Sequence, residues 1–216
     1  MHTGFEPLEI IGPHEIFSVA LQNHTTATFP KGAPAYEVAI TGSQSPTTGN
    51  WNISMNTQIP LSTAYATLAD YDVLVIPGGG SRNVLPLKTE PIPLIQQFYS
   101  LPKRPDGRVR TLMSICTGSI LLAAAGTLAD KSATTSRNNF GKLAKMLEGQ
   151  NATLLPEALF VVNRVDEEKG LRVVTASEST TGIDATFFLL GDQLGDEVME
   201  EAGREVRYAM RDGVVV

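Results

Sequence analysis

The most informative run of residues in the chain is Arg110-Thr111-Leu112-Met113-Ser114-Ile115-Cys116-Thr117-Gly118, a short apolar segment that ends in a cysteine and two small residues. A continuous apolar run of this length is typical of a strand that is buried on both faces of a parallel sheet. Ser119 to Leu128 follows, and its alanines and leucines predict a buried helix. The sequence therefore predicts a nucleophile elbow, a tight strand-to-helix turn that lifts Cys116 above the sheet edge.

A second run of the same kind precedes the first. Tyr71 to Ile76 is largely apolar and stops at Pro77-Gly78-Gly79-Gly80. Between the two runs, Glu90 to Leu101 carries apolar residues at helical spacing. The order strand, helix, strand, helix implies right-handed crossovers. The predicted fold class is α/β, with a doubly wound, mostly parallel sheet sandwiched by helices.

The rest of the chain predicts one more pair of strands and two terminal helices. Leu159 to Val165 and Leu171 to Ala176 flank a polar turn and predict a hairpin. Helices are expected over Gly182 to Leu194 and over Glu197 to Arg211. Because no linker, repeat or low-complexity segment interrupts the pattern, we expect residues 1–216 to form a single domain.

The N-terminus departs from this regular order. Gly4 to Glu9 resembles the turn and helix start that should follow a first strand, yet only three residues precede it. The first strand is therefore expected to be missing or extremely short. A missing central strand would leave sheet edges unpaired and favour aggregation or a partner chain.

Composition narrows the function classes. Of 216 residues, 42% are apolar and 19% are charged, which is ordinary for a globular protein. With 17 Lys and Arg against 23 Asp and Glu, the net charge is −6, and no Lys/Arg run is present. Such a chain is a poor binder of nucleic acid or anionic membranes. The expected partner is a small-molecule substrate.

The cysteine and histidine content and the hydropathy of the chain argue against a disulfide-bonded, metal-binding, membrane-spanning or secreted protein. One cysteine permits neither an internal disulfide nor a cysteine-based zinc cage, and the three histidines form no HExxH or His-x-His motif. We therefore expect no metal and no cofactor. No apolar run reaches about 18 residues, and no basic region precedes an apolar N-terminal core, so neither a transmembrane helix nor a secretory signal is predicted. The expected location is the cytoplasm.

Cys116 and the glycine loop are the first candidates for chemistry. At a helix N-terminus, unpaired N–H groups and the helix dipole favour a thiolate. The alternative is a buried structural cysteine, the commoner role of a free thiol. Gly78, Gly79 and Gly80 allow the backbone to approach a ligand and to point N–H groups at a developing negative charge, although they also suit a plain turn. They do not form a phosphate loop, because no Lys-Ser/Thr follows.

Glu9 is the third candidate. It lies in the apolar stretch Leu8-Glu9-Ile10-Ile11-Gly12-Pro13. A carboxyl group in such surroundings can be buried and protonated, and can then donate a hydrogen bond. The alternative is a surface glutamate at the start of a helix, where the dipole favours it.

Together these motifs resemble the ThiJ/PfpI superfamily over nearly the whole chain. The matching segments are Leu8-Glu9-Ile10-Ile11-Gly12-Pro13-His14-Glu15, Asp72 to Gly79, Ser114 to Gly126, Ala133-Thr134-Thr135 and Thr181-Gly182-Ile183-Asp184-Ala185. The resemblance implies a flavodoxin-like, class I glutamine amidotransferase-like fold. The Cys-Thr-Gly-Ser elbow, its Ala-Ala-Ala-Gly helix and the late Gly-Ile-Asp look most like the isonitrile hydratase branch.

The resemblance also implies roles for individual residues. Cys116 would be the nucleophile, Glu9 would hydrogen-bond the thiol where that branch usually has Asp, and Thr117 would take part in catalysis. Gly78 and Gly79, with the N–H after the nucleophile, would form the anion-stabilising pocket. Three later residues would lie near the site or pack under it: Gly182, Ile183 and Asp184. Members of the superfamily are usually homodimers.

One position departs from the family pattern. Histidine commonly follows the Thr-Thr pair as the base partner of the cysteine, whereas this chain has Ser136, grouped here with the substrate-binding positions. No histidine exists after His24, so a Cys–His dyad would need His14 or His24. Thiolate formation would otherwise rest on the helix dipole and on Arg137. This departure counts against protease, deglycase or glyoxalase-like chemistry and less against the hydratase.

Two functions follow. The first is a cysteine-dependent hydro-lyase that resembles isonitrile hydratase and converts an isonitrile to an N-substituted formamide through Cys116 and Glu9. The second is a non-enzymatic member of the family, a redox sensor or small-ligand binder acting through Cys116. The intact Cys-Thr-Gly and Glu9 favour the enzyme, and the missing histidine favours the second reading.

Overall fold

The computed structural model describes residues 1–22 and 30–216, which include eight helices and nine strands. The helices are α1 (Leu8–Val19), α2 (Leu61–Ala66), α3 (Ser81–Val84), α4 (Ile92–Tyr99), α5 (Gly118–Ala124), α6 (Phe140–Met146), α7 (Ser179–Leu194) and α8 (Asp196–Val206). The strands are β1 (Thr47–Thr48), β2 (Ser54–Met55), β3 (Val73–Ile76), β4 (Arg110–Ile115), β5 (Ser132–Ala133), β6 (Thr153–Leu154), β7 (Phe160–Val162), β8 (Leu171–Ala176) and β9 (Val214–Val215).

A five-stranded sheet in the order β3-β4-β8-β7-β9 forms the centre of the fold. The pairs β3/β4 and β4/β8 are parallel, whereas β7 runs antiparallel to β8 as the first strand of the predicted hairpin. β9 adds a parallel partner to β7 at one edge. The predicted α/β class and the mostly parallel sheet are confirmed.

Helices cover both faces of the sheet, because alternate side chains of the central strands enter two separate cores. Leu112 of β4 packs in a core with α4, α5 and α6, and its neighbour Met113 packs on the other face with α1, α7 and α8. Every residue of β4 and β8 is buried. This two-sided burial explains why both strands are continuous apolar runs rather than alternating ones.

The two ends of the chain show where local patterns mislead. The predicted helix over Glu197 to Arg211 stops at Val206, and the chain then turns back to form β9. At the other end, Met1 to Thr3 lie outside any strand, and β3 pairs only with β4 among the described strands. Val73 and Val75 are accordingly half-buried at a sheet edge. The expectation of a missing first strand stays a prediction.

Candidate active site

The turn between β4 and α5 is a nucleophile elbow. Cys116 has φ 55°, in the left-handed region, which costs a non-glycine residue of order 1–3 kcal/mol. Gly118 must be a glycine, because a Cβ there would lie 2.4 Å from the carbonyl oxygen of Ile76. Since Ile76 pairs with Ser114 in parallel register, the loops that follow β3 and β4 meet at the same sheet edge. The elbow therefore places Cys116 beside the glycine loop, as the sequence predicts.

Glu9 lies on α1 and is completely buried against the same edge. The Gly78 N–H donates to its Oε2 at 2.5 Å, the Ser179 hydroxyl donates to its Oε1 at 2.8 Å, and its side chain is hydrogen-bonded to Cys116. Burial raises the pKa of Glu9 to about 7, although these hydrogen bonds oppose the rise. Of the two alternatives that the sequence leaves open for Glu9, the structure shows the buried, protonatable carboxyl group.

The Cys116 thiol is neutral at neutral pH. Burial raises its pKa to about 12, with a further rise from the Glu9 carboxylate; hydrogen bonds from Ser136 and the Thr117 N–H oppose it. Glu178 adds a second negative charge, and the backbone N–H of Arg137 donates to that carboxylate. Burial and the two carboxylates therefore act against the thiolate that the position at a helix N-terminus was expected to favour.

The glycine loop is held in place by hydrogen bonds within the protein. The Gly78 N–H donates to Glu9, and the Gly79 N–H donates to the Thr117 Oγ1 at 2.9 Å. On the other side, the His2 Nε2 contacts the Gly79 carbonyl oxygen at 3.0 Å. In this structure both N–H groups already have acceptors, and the anion-stabilising pocket stays a prediction that would require these hydrogen bonds to be exchanged for the substrate.

Ser136 occupies the position where the family commonly has histidine. It is buried beside Cys116, hydrogen-bonds the sulfur, and accepts a hydrogen bond from the Asn139 side chain at 2.8 Å. His14 does not replace the missing base, since its Nδ1 contacts Ser18 on the exposed side of α1 at 3.3 Å. His24 lies outside the described residues.

The Gly-Ile-Asp segment packs under the site rather than lining it. A Cβ on Gly182 would lie 2.5 Å from the Ile115 side chain, and the Ile183 side chain contacts α1 at Gly12. Asp184 is fully buried and accepts hydrogen bonds from the Arg211 guanidinium at 2.6 Å and the Tyr208 hydroxyl at 3.1 Å. Of the two placements that the resemblance implies, near the site or packed under it, the contacts of these three residues match the second: they hold α7 against the sheet, α1 and the C-terminal tail.

Two residues outside the predicted set of site residues support the site. Ser179 begins α7 and fixes Glu9; its position in the Ser/Thr-rich stretch 177–181 is the only sequence signal for it. His2 is 3% exposed, and burial lowers its pKa to about 4, so it holds the Gly79 peptide as a neutral ring. Nothing in a three-residue N-terminal segment predicts that contact, which spans 77 positions.

A cavity of about 320 Å³ reaches the site at Thr117 and Gly79. A larger cavity, about 700 Å³, lies against α8 and the C-terminal tail and includes none of the residues around Cys116. Among residues 1–22 and 30–216, no group of three His, Cys, Asp or Glu side chains could hold a metal ion. None of the described helices is both long enough and apolar enough to cross a bilayer.

Comparisons with known proteins place this geometry in a family. The sequence profile described as the DJ-1/PfpI family matches residues 1–190. A ThiJ/PfpI family protein from Pseudomonas syringae superposes with a TM-score of 0.72 at 21% identity, covering 98% of this chain and 74% of that one. No match was found among curated protein sequences.

Two further solved structures share the fold at lower identity. Drosophila melanogaster DJ-1beta gives a TM-score of 0.70 at 17% identity, over 97% of this chain and 95% of that one. An AraC family transcriptional regulator from Pseudomonas putida gives 0.65 at 16% identity, over 95% of both chains. At these identities, the similarity establishes the architecture alone.

Proposed function

The chain belongs to the DJ-1/PfpI family, and from this premise we propose that it is a cysteine-dependent hydro-lyase of the isonitrile hydratase kind. It would add water to an isonitrile and release an N-substituted formamide. One observation carries the proposal: Glu9 and Cys116 form a buried, hydrogen-bonded acid–thiol pair with Ser136 where a histidine base would stand. The resemblance of the sequence motifs to the ThiJ/PfpI superfamily also supports a homodimer that uses no cofactor.

The first step uses the pair as it stands. An isonitrile carbon accepts a proton and a nucleophile at the same atom, so the reaction needs no preformed thiolate. Glu9 gives its proton to that carbon while the Cys116 sulfur forms a bond to it, and the thiol proton returns to the Glu9 carboxylate. The product is a thioimidate, R–N=CH–S–Cys116, and Glu9 is protonated again.

The second step consumes one water molecule. Its oxygen bonds to the thioimidate carbon, and its hydrogens go to the nitrogen and, through Glu9, to the departing sulfur as the C–S bond breaks. The products are R–NH–CHO and the free thiol. Thr117 is suited to place this water, because its Oγ1 accepts from the Gly79 N–H and its own proton remains available to donate.

The alternative is a redox sensor or small-ligand binder that acts through Cys116. The missing histidine favours it, since acyl-transfer chemistry has no base here. Oxidation proceeds through the thiolate, however, and a thiol whose pKa is raised to about 12 oxidises slowly. The acid–thiol pair therefore favours the hydratase.

The test is a turnover screen beside a thiol-oxidation assay. Wild type and Cys116→Ala are incubated with alkyl, aryl and carboxylate-bearing isonitriles, and formamide production is followed by proton NMR. Turnover that disappears in Cys116→Ala supports the hydratase. No turnover by wild type, together with rapid and selective oxidation of Cys116 by peroxide, would replace it with the sensor.

A further inference from the structure

The cavity beside Thr117 has an unusually polar wall. Small-molecule pockets are lined predominantly by apolar and aromatic side chains. This one is lined by the backbone of Gly4, Gly79 and Gly80 and by polar side chains: Asn50, Ser81, Arg82, Asn83 and Thr117. A hydrocarbon substituent would leave those groups without water and without partners, which disfavours its binding.

The charges at this cavity are mainly positive, although the chain as a whole carries −6. Arg82 borders the cavity and makes no ion pair within the part of the chain that the structure describes. The Lys142 Nζ lies 3.4 Å from the Ser81 hydroxyl and adds a second cation at the rim. The nearby Glu6 carboxylate is engaged by the Asn50 amide at 3.2 Å and the Trp51 indole N–H at 3.3 Å.

Thr117, the residue that follows the nucleophile Cys116, and Arg82 border one cavity, so a ligand in this cavity lies between the neighbour of the nucleophile and the guanidinium. A volume of about 320 Å³ is at the small end of ligand sites. A guanidinium binds a carboxylate through two parallel hydrogen bonds, a geometry that lysine does not offer.

We propose that the substrate is a small isonitrile that carries a carboxylate, with Arg82 binding that carboxylate while the isonitrile carbon meets Cys116. This assignment rests on the proposed hydratase function and specifies the substrate class of the same site. Lys142 attracts the anion to the rim, and Ser81 and Asn83 add hydrogen bonds to its oxygens or to the polar part of the chain between the two groups.

The test compares isocyanoacetate with its uncharged methyl ester. Wild type should hydrate the carboxylate with the higher kcat/KM, and Arg82→Gln should lower that value by about tenfold or more through KM, the scale of losing a hydrogen bond between charged groups. Hydration of the ester should not change. Arg164→Gln is the matched control, because Arg164 follows β7 at the end of the sheet opposite Cys116.

A binding arm separates this inference from the proposed function. Isocyanoacetate is titrated calorimetrically into Cys116→Ala and into Cys116→Ala/Arg82→Gln. Binding that the second substitution abolishes, with no turnover by wild type, would retain the anion site and refute the hydratase. Turnover with equal kcat/KM for acid and ester would retain the hydratase and refute the anion site. Neither binding nor turnover would refute both.

Discussion

The substitution Glu9→Gln tests whether proton transfer from the acid of the acid–thiol pair is needed for turnover. Glutamine keeps the shape of the side chain and an oxygen for the Gly78 N–H, and its amide can donate to the Ser179 hydroxyl, which is able to accept. What it cannot do is transfer a proton. A positioned acid contributes roughly 10²–10⁴-fold to a rate, so we expect isonitrile hydration to fall by that factor with substrate binding nearly unchanged.

The same substitution has a stability signature that does not depend on turnover. Raising the pKa of Glu9 from 4.5 to about 7 means that ionising it costs the folded protein about 3 kcal/mol more than the unfolded chain. Because the folded-state pKa is raised, this cost is absent below pH 4.5, grows as the pH rises and is complete above about 7. Glutamine never ionises and avoids it.

Thermal unfolding of the two proteins from pH 4 to 9 measures that cost. At pH 4, wild type and Glu9→Gln should melt together, and above pH 8 the variant should melt higher by about 6–12 °C, the shift that about 3 kcal/mol produces at this chain length. In parallel, wild-type kcat/KM should fall as the pH rises through about 7, the pKa of the acid. Equal melting temperatures at every pH would refute a buried Glu9 with a raised pKa, and near-wild-type turnover by the variant would refute its role as the acid.

Three further predictions follow from the geometry around this pair. Iodoacetamide labelling of Cys116 should stay slow and nearly flat between pH 6 and 8, because burial raises the thiol pKa to about 12, and a titration midpoint below 8.5 would contradict this. Gly78→Ala should abolish most turnover, because its Cβ would lie 2.6 Å from the Thr117 backbone nitrogen; Gly141→Ala, where the space is open, is the control and should leave turnover unchanged. Asp184→Asn should lower the free energy of unfolding by roughly 1–3 kcal/mol and free the C-terminal tail, since a buried acceptor of charged hydrogen bonds is weakened; unchanged unfolding in urea would show that the tail contributes nothing.

The features that the sequence predicted correctly are those written in neighbouring residues. The elbow needs an apolar strand, a cysteine and a glycine in immediate succession, and all three constraints occur within Ser114 to Gly118. The sequence left the burial of Glu9 open, and the structure shows it buried although the neighbouring Leu8 and Ile11 are exposed. Parallel strands then bring their loops together, so the meeting of Cys116 with the Pro77 to Gly80 loop follows from fold class alone.

The features that it missed depend on residues far apart in the chain. The motif left open whether Asp184 lies near the site or packs under it, and its partner Arg211 is 27 residues away, in a segment whose local pattern favoured a helix. Ser179 reaches Glu9 across 170 positions, and no local pattern encodes that contact. The charge state of Cys116 also depends on residues far apart in the chain, because the burial that raises its pKa arises only when the whole fold is assembled.

The serine at position 136, where a histidine was expected, determines which substrates suit the site. In a Cys–His dyad the histidine keeps the cysteine ionised. The thiolate then attacks substrates whose carbonyl carbon accepts a nucleophile without taking up a proton, such as amides and thioesters. Here the cysteine is paired with an acid whose pKa is raised to about 7, and its own pKa is raised to about 12, so the pair holds both protons below about pH 7. Such a pair favours a substrate whose reacting carbon forms bonds to a proton and to the sulfur in the same step.

The substitution Ser136→His should therefore disfavour isonitrile hydration. A base beside the sulfur would raise the rate of alkylation of Cys116 at neutral pH and lower the rate of isonitrile hydration. A rise in both would show that hydration is limited by thiolate formation and would overturn the proton-first step.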